Sequence, residues 1–150
     1  MRRFPIGMMP AKYERAPERP AAGVDFPRPP ENLPDWALEN AKPFWGLDDF
    51  NLLVQAERTC GKTLELKKVP MTDNLWGLHV ARGKRARIYV NSLLPLFWQR
   101  FACFHELYHL LFHQRGEAFW ARTATPMSSF EYQADLFAWA CLLPEWQEPF

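Results

Sequence analysis

Between residues 101 and 113 the chain reads FACFHELYHLLFH, and four of those residues, His105, Glu106, His109 and His113, carry groups that can do chemistry. On a helix at about 100° per residue they fall within an arc of roughly 100°. Their neighbours are Phe, Leu, Ala, Cys and Tyr. Burying imidazoles and a carboxylate without partners is costly, so something must compensate them. A solvent face would ordinarily carry lysine or arginine, yet this chain has no lysine beyond Lys84. Residues four apart on a helix lie about 6 Å apart, so His105 and His109 can grip one metal ion. Glu106 beside them can take a proton from a water held at such an ion, which is the chemistry of an HExxH helix.

Chance alone would place this pentapeptide in roughly one shuffled sequence per hundred, so a third ligand is required. His113 is ill placed. It stands about 12 Å of helix rise beyond His105, too far to share one tetrahedral ion, which leaves it a packing role or one behind the ligands. The segment SSFEYQADLFAWACLLP offers Glu131 and Asp135, four apart and so on one helix face. Ser128-x-x-Glu131 also fits a capping box, and taken alone Glu131 is better explained by that role. Following an HExxH helix, it is the natural third ligand. Asp135 could then accept a hydrogen bond from a ligand histidine and fix its tautomer. This donor set suits zinc (Zn2+), with the fourth position left to water.

The elements that must position these residues can be read from the pattern. Leu94–Arg115 is a long apolar helix opened near Pro95 and closed by Gly116, and a second helix runs from about Ser129 to Leu143, stopping at Pro144. Upstream, Leu47–Cys60 has acidic residues near its start and Gly61 past its end, as a helix should. The segments 63–69, 75–80 and 86–90 alternate or are rich in β-formers and predict three short strands. Asp35–Lys42 fits a short helix ending before Pro43. ARGKRAR, four basic residues within six positions, reads best as a solvated hairpin tip. The expected class is α+β and zincin-like: a small three-stranded sheet, an HExxH helix and a following Glu-bearing helix.

Eight of the fourteen prolines fall within the first 34 residues, which predicts an extended or disordered arm over 1–34, with docking through Phe4, Tyr13 or Phe26, and one domain over 35–150. The chain is 48% hydrophobic and 15% aromatic, enough for a real core. A formal charge of +1 gives no overall reason to expect nucleic acid or an anionic membrane as the main partner. No apolar run approaches a membrane span, and proline interrupts the basic start before a signal core could form. Cys60, Cys103 and Cys141 form no CxxC pair and read as buried thiols of a cytoplasmic protein.

QRFACFHELYHLLFH (99–113) followed by FEYQADLFAWACLLP (130–144) resembles the ImmA/IrrE family of zinc metallopeptidases. Arg100-Phe101, His105, Glu106, His109, Glu131, Ala134, Asp135, Phe137-Ala138 and Pro144 carry the likeness, which extends over roughly residues 47–146. The resemblance implies a gluzincin-like site, with His105, His109 and Glu131 on zinc, Glu106 as general base and Asp135 behind a ligand. It also implies a protein substrate, often a helix-turn-helix repressor of a mobile element, stress or toxin–antitoxin operon. Phe104 and Tyr108 stand where the family usually has small residues, which points to a narrowed or reshaped substrate cleft, and Gln133 stands where the family often has an acid. The proline-rich arm is not a family feature.

Two rival readings stay open on the sequence: a metal-stabilised binding module that sequesters a repressor, antitoxin or toxin, and a chance HExxH in a metal-free domain. The intact Glu106 favours the enzyme, since binding alone does not need it. His79, in a strand pattern, is more often a surface or core residue than a catalytic one. His79, Tyr89, His113, Arg122 and Tyr132 are candidates for stabilising an oxyanion. Tyr89 and Asn91 are expected on an edge strand, open to an added peptide.

Overall fold

The computed structural model describes residues 26–72, 75–112, 118–123 and 131–147, the segment 118–123 by its backbone only. Helix α1 (Asp35–Ala41) runs into a short 3-10 turn (Lys42–Phe44). Helix α2 (Asp49–Cys60) begins where the Asp48 carboxylate accepts from the Asn51 N–H at 2.8 Å, and ends at Gly61, whose φ of 72° closes it in a left-handed turn. Strands β1 (Thr63–Val69), β2 (Gly77–Arg82) and β3 (Arg85–Asn91) follow, with a tight turn at Gly83 between the last two. Helix α3 (Leu96–Phe112) carries the HExxH stretch. Strand β4 (Ala118–Thr123), helix α4 (Tyr132–Cys141) and a final turn of helix α5 (Leu143–Trp146) complete the described chain.

The class is α+β, as the pattern predicts, but the sheet has four strands rather than three, in the order β1-β3-β2-β4. β1 pairs parallel with β3, while β2 pairs antiparallel with β3 and β4. The fourth strand falls where the sequence suggested only a loop. It exists because β2 offers a partner, Gly77 facing Thr123 and Arg82 facing Ala118. β3 is an interior strand, which corrects the expectation that Tyr89 and Asn91 line an edge. Asn91 instead pins the loop before β2, accepting from the Met71 N–H at 3.1 Å and donating to Leu75 O at 2.8 Å. Pro144 does not end the helical region: it stands at the start of α5, where its missing N–H is harmless.

Helix α3 lies across the inner face of the sheet, and α4 packs beside it. Strand alternation decides which residues meet it: Gly77, His79 and Ala81 of β2 are buried, while Leu78 and Val80 are less so. The core under α3 is aromatic. Trp98 meets Phe101 at 5.5 Å and Trp139 at 5.7 Å, and Trp139 meets Trp146 at 5.3 Å. Arg100, only 14% exposed, joins three elements by bonding Asp49, Leu47 O and Glu145 at 2.9–3.1 Å. Of the expected arm, residues 26–34 are described, and they touch the core: Leu33 is buried and Phe26 stacks on Trp98 at 4.9 Å. Residues 1–25, Phe4 and Tyr13 among them, lie outside the described residues.

At the β2–β3 turn Arg82 and Arg85 are exposed, and Arg87 bonds Glu65 at 2.7 Å on the outer face of the sheet. Phe104 is fully buried against Phe44 and Phe137, and Tyr108 packs on Phe137 while its hydroxyl donates to Gln133 at 2.9 Å. Among the described residues no helix is long and apolar enough to cross a membrane.

Candidate metal centre

Helix geometry places His105 and His109 one turn apart on α3, and both rings are buried. Glu131, at the N-terminus of α4, reaches across to them: its Oε1 lies 2.6 Å from His105 Nε2 and 3.0 Å from His109 Nε2. The three potential ligand atoms lie within 4.8 Å of one another. Glu131 makes no side-chain cap bond on its own helix, so its carboxylate serves the histidines; Ser128, the other half of the expected capping box, lies outside the described residues. One turn further along α4, Asp135 Oδ1 sits 2.8 Å from His105 Nδ1.

Charge and burial agree with this arrangement. Burial alone would depress the His105 imidazolium, but the hydrogen bonds to Asp135 and Glu131 and the nearby carboxylate charge outweigh it and raise its pKa to about 9. Burial pushes the Glu131 carboxyl up, yet the two histidines beside it win and hold it well below the usual carboxylate range. Asp135 is raised by burial, against the opposing pull of His105. Two imidazole nitrogens and one carboxylate oxygen converging on a point form the N2O donor set that divalent zinc takes from proteins. The residues therefore fit such an ion. The Nδ1–H···Asp135 bond leaves Nε2 as the nitrogen directed at it.

Residues 62–147, more than half of the chain, match the IrrE N-terminal-like domain, a peptidase family. The chain belongs to that family. No curated protein and no solved structure matches it. The part that matches the IrrE N-terminal-like domain begins at β1 and ends just after α5, so it contains the whole sheet and both helices that carry His105, His109 and Glu131, but neither α1 nor α2.

Glu106 lies on the sheet side of the histidine pair, fully buried, with its Oε1 2.6 Å from His79 Nδ1. The His79 ring also stacks on His109, centroids 5.8 Å apart at 20°. His79 is the residue whose place the sequence did not reveal. On β2 it shares a face with Gly77 and Ala81, but 27 residues separate it from Glu106 in the chain. Of the other oxyanion candidates, Tyr89 shares the outer face of the sheet with Leu78, opposite His79, and is thereby turned away from the centre. Tyr132 is exposed beside Glu131, and His113 and the Arg122 side chain lie outside the described residues.

Proposed function

We propose that this IrrE N-terminal-like domain is a zinc-dependent endopeptidase. The observation that carries the reading is the convergence of His105 Nε2 and His109 Nε2 on the Glu131 carboxylate, with Glu106 next in the chain to His105. In this reading His105, His109 and Glu131 hold the ion, and Asp135 fixes His105 in the tautomer that binds it. When bound, zinc supplies Lewis acidity that polarises a peptide carbonyl and makes a water more acidic. Glu106 accepts the proton of the attacking water as oxygen bonds to the carbonyl carbon. It returns that proton to the amine nitrogen as the C–N bond breaks, so the carboxylate ends as it began.

The substrate proposed is a specific protein, a helix-turn-helix repressor, and the setting is the cytoplasm. The repressor is supported by the family resemblance. The setting is supported by three cysteines unpaired with one another, two of them buried.

The decisive experiment compares variants at Glu106 and His109 against a helix-turn-helix protein encoded beside the gene, where there is one, with zinc measured on every variant. Glu106→Gln should keep its zinc and lose cleavage by about 10²–10⁴-fold, the usual range for a lost general base. His109→Ala should lose both. If Glu106→Gln keeps full biological effect while His109→Ala loses it, metal-stabilised binding suffices and the peptidase reading is wrong.

A further inference from the structure

His79 belongs to no ligand set, yet it is as deeply buried as the residues that do. Its ring has 0% exposure at the middle of β2, and so does the Glu106 side chain it meets at 2.6 Å. Fold stability does not call for this pair. Exchanging a buried polar pair for apolar residues of similar volume is often neutral or stabilising.

The geometry does something more specific. An ionised carboxylate can only accept, so His79 Nδ1–H donates to Glu106 Oε1 and limits the rotamers open to that side chain. β2 is hydrogen-bonded on both sides, by β3 and by β4, so the donor stands on a rigid support. Two residues earlier on the same face, Gly77 lies beside the same side chain: a Cβ there would make ordinary contact with Glu106 Cγ at 3.6 Å. The other side of the His79 ring rests on His109. One side chain thus touches both the carboxylate assigned to proton transfer and a residue assigned to the metal.

We propose that His79 is a positioning residue that holds the Glu106 carboxylate in register with the metal-binding histidines. It acts through Glu106 and does not itself meet the substrate. The inference rests on the reading of Glu106 as proton acceptor. It predicts that removing the donor has the consequence of removing the carboxylate, without loss of metal.

The test needs no knowledge of the natural substrate. Full-length protein is loaded with zinc, and its affinity for acetohydroxamate is measured by calorimetry; this ligand chelates zinc and donates a hydrogen bond to a carboxylate beside it. His79→Leu should keep its zinc and bind the hydroxamate about tenfold more weakly or worse, the range for a lost bond to a charged group. Glu106→Gln should weaken it similarly, and the double variant should be no weaker than Glu106→Gln alone, because both changes break one device. His79→Asn, whose amide can donate from near the Nδ1 position, should recover most of the affinity. A merely structural His79 would lower stability and zinc content together and would show no such rescue.

The role is overturned if His79→Leu binds like wild type, if its loss adds to that of Glu106→Gln, if Asn gives no rescue, or if zinc leaves with the histidine. A wild-type protein that takes up no zinc, or that binds hydroxamate no better than Glu106→Gln, would overturn the peptidase reading and this inference with it. Weakening by Glu106→Gln but not by His79→Leu would overturn the positioning role alone.

Discussion

His105 makes two hydrogen bonds that both ask it for a proton. Asp135 at Nδ1 and Glu131 at Nε2 are both acceptors, so without metal the ring is best satisfied as an imidazolium, in accord with its pKa near 9. A folded-state value above the ordinary 6.5 contributes stability that is fully present below 6.5 and is lost as pH rises through about 9. Glu131 is depressed, so its contribution is present above the ordinary 4.5 and is lost on acidification through its lower folded value. Zinc requires the neutral ring, and the proton must leave first. Calorimetry in buffers of different ionisation enthalpy should show zinc uptake at pH 7 releasing about one proton from this histidine, and close to none above pH 9. A release unchanged between the two pH values would contradict the assignment. Asp135→Ala would leave the buried Nδ1–H without its acceptor, and zinc affinity should fall about 10–100-fold in a chelator competition. An unaltered affinity would mean that Asp135 does not orient the ligand.

Helix α3 and the sheet meet through a residue with no side chain. At Gly77 a Cβ would fall 2.8 Å from the Tyr89 carbonyl oxygen, which is backbone and cannot swing aside. Gly77→Ala should therefore force β2 and β3 apart and cost about 1–3 kcal/mol in urea unfolding, as overpacking does. A cost near zero would show that the strands yield freely there. That contact was invisible in the sequence, and the reason separates what was legible from what was not. The HExxH spacing, the Glu131–Asp135 pair and the cap and stop of α2 are local, set by helical period and by Asp48 and Gly61. β4 was missed because strand formation depends on a partner, and the partner, β2, lies some forty residues upstream. His79 was undervalued for the same reason. Its strand pattern leaves open whether it faces core or solvent, and what it faces depends on how α3 crosses the sheet. Pro144 misled because proline both ends one helix and begins the next.

The molecule as a whole is held by an aromatic core that extends past the expected domain boundary. Proline density predicts an arm over residues 1–34, because proline has no N–H to give to a helix or sheet. It does not forbid packing. Phe26 lies within 5.6 Å of Trp76 and 4.9 Å of Trp98, and Leu33 is 5% exposed just before α1. These contacts cover the same Trp76–Trp98–Phe101 cluster that seats the first turns of α3, and so help set the helix that carries His105. The functional boundary should then lie at or before Phe26. Limited proteolysis followed by mass measurement should yield a resistant fragment that still contains residues 26–34. Leu33→Ala should cost about 2–5 kcal/mol, the range for truncating a buried leucine. A stable fragment beginning at or after Asp35, together with a Leu33→Ala variant that unfolds like wild type, would instead show that the domain stands without this segment.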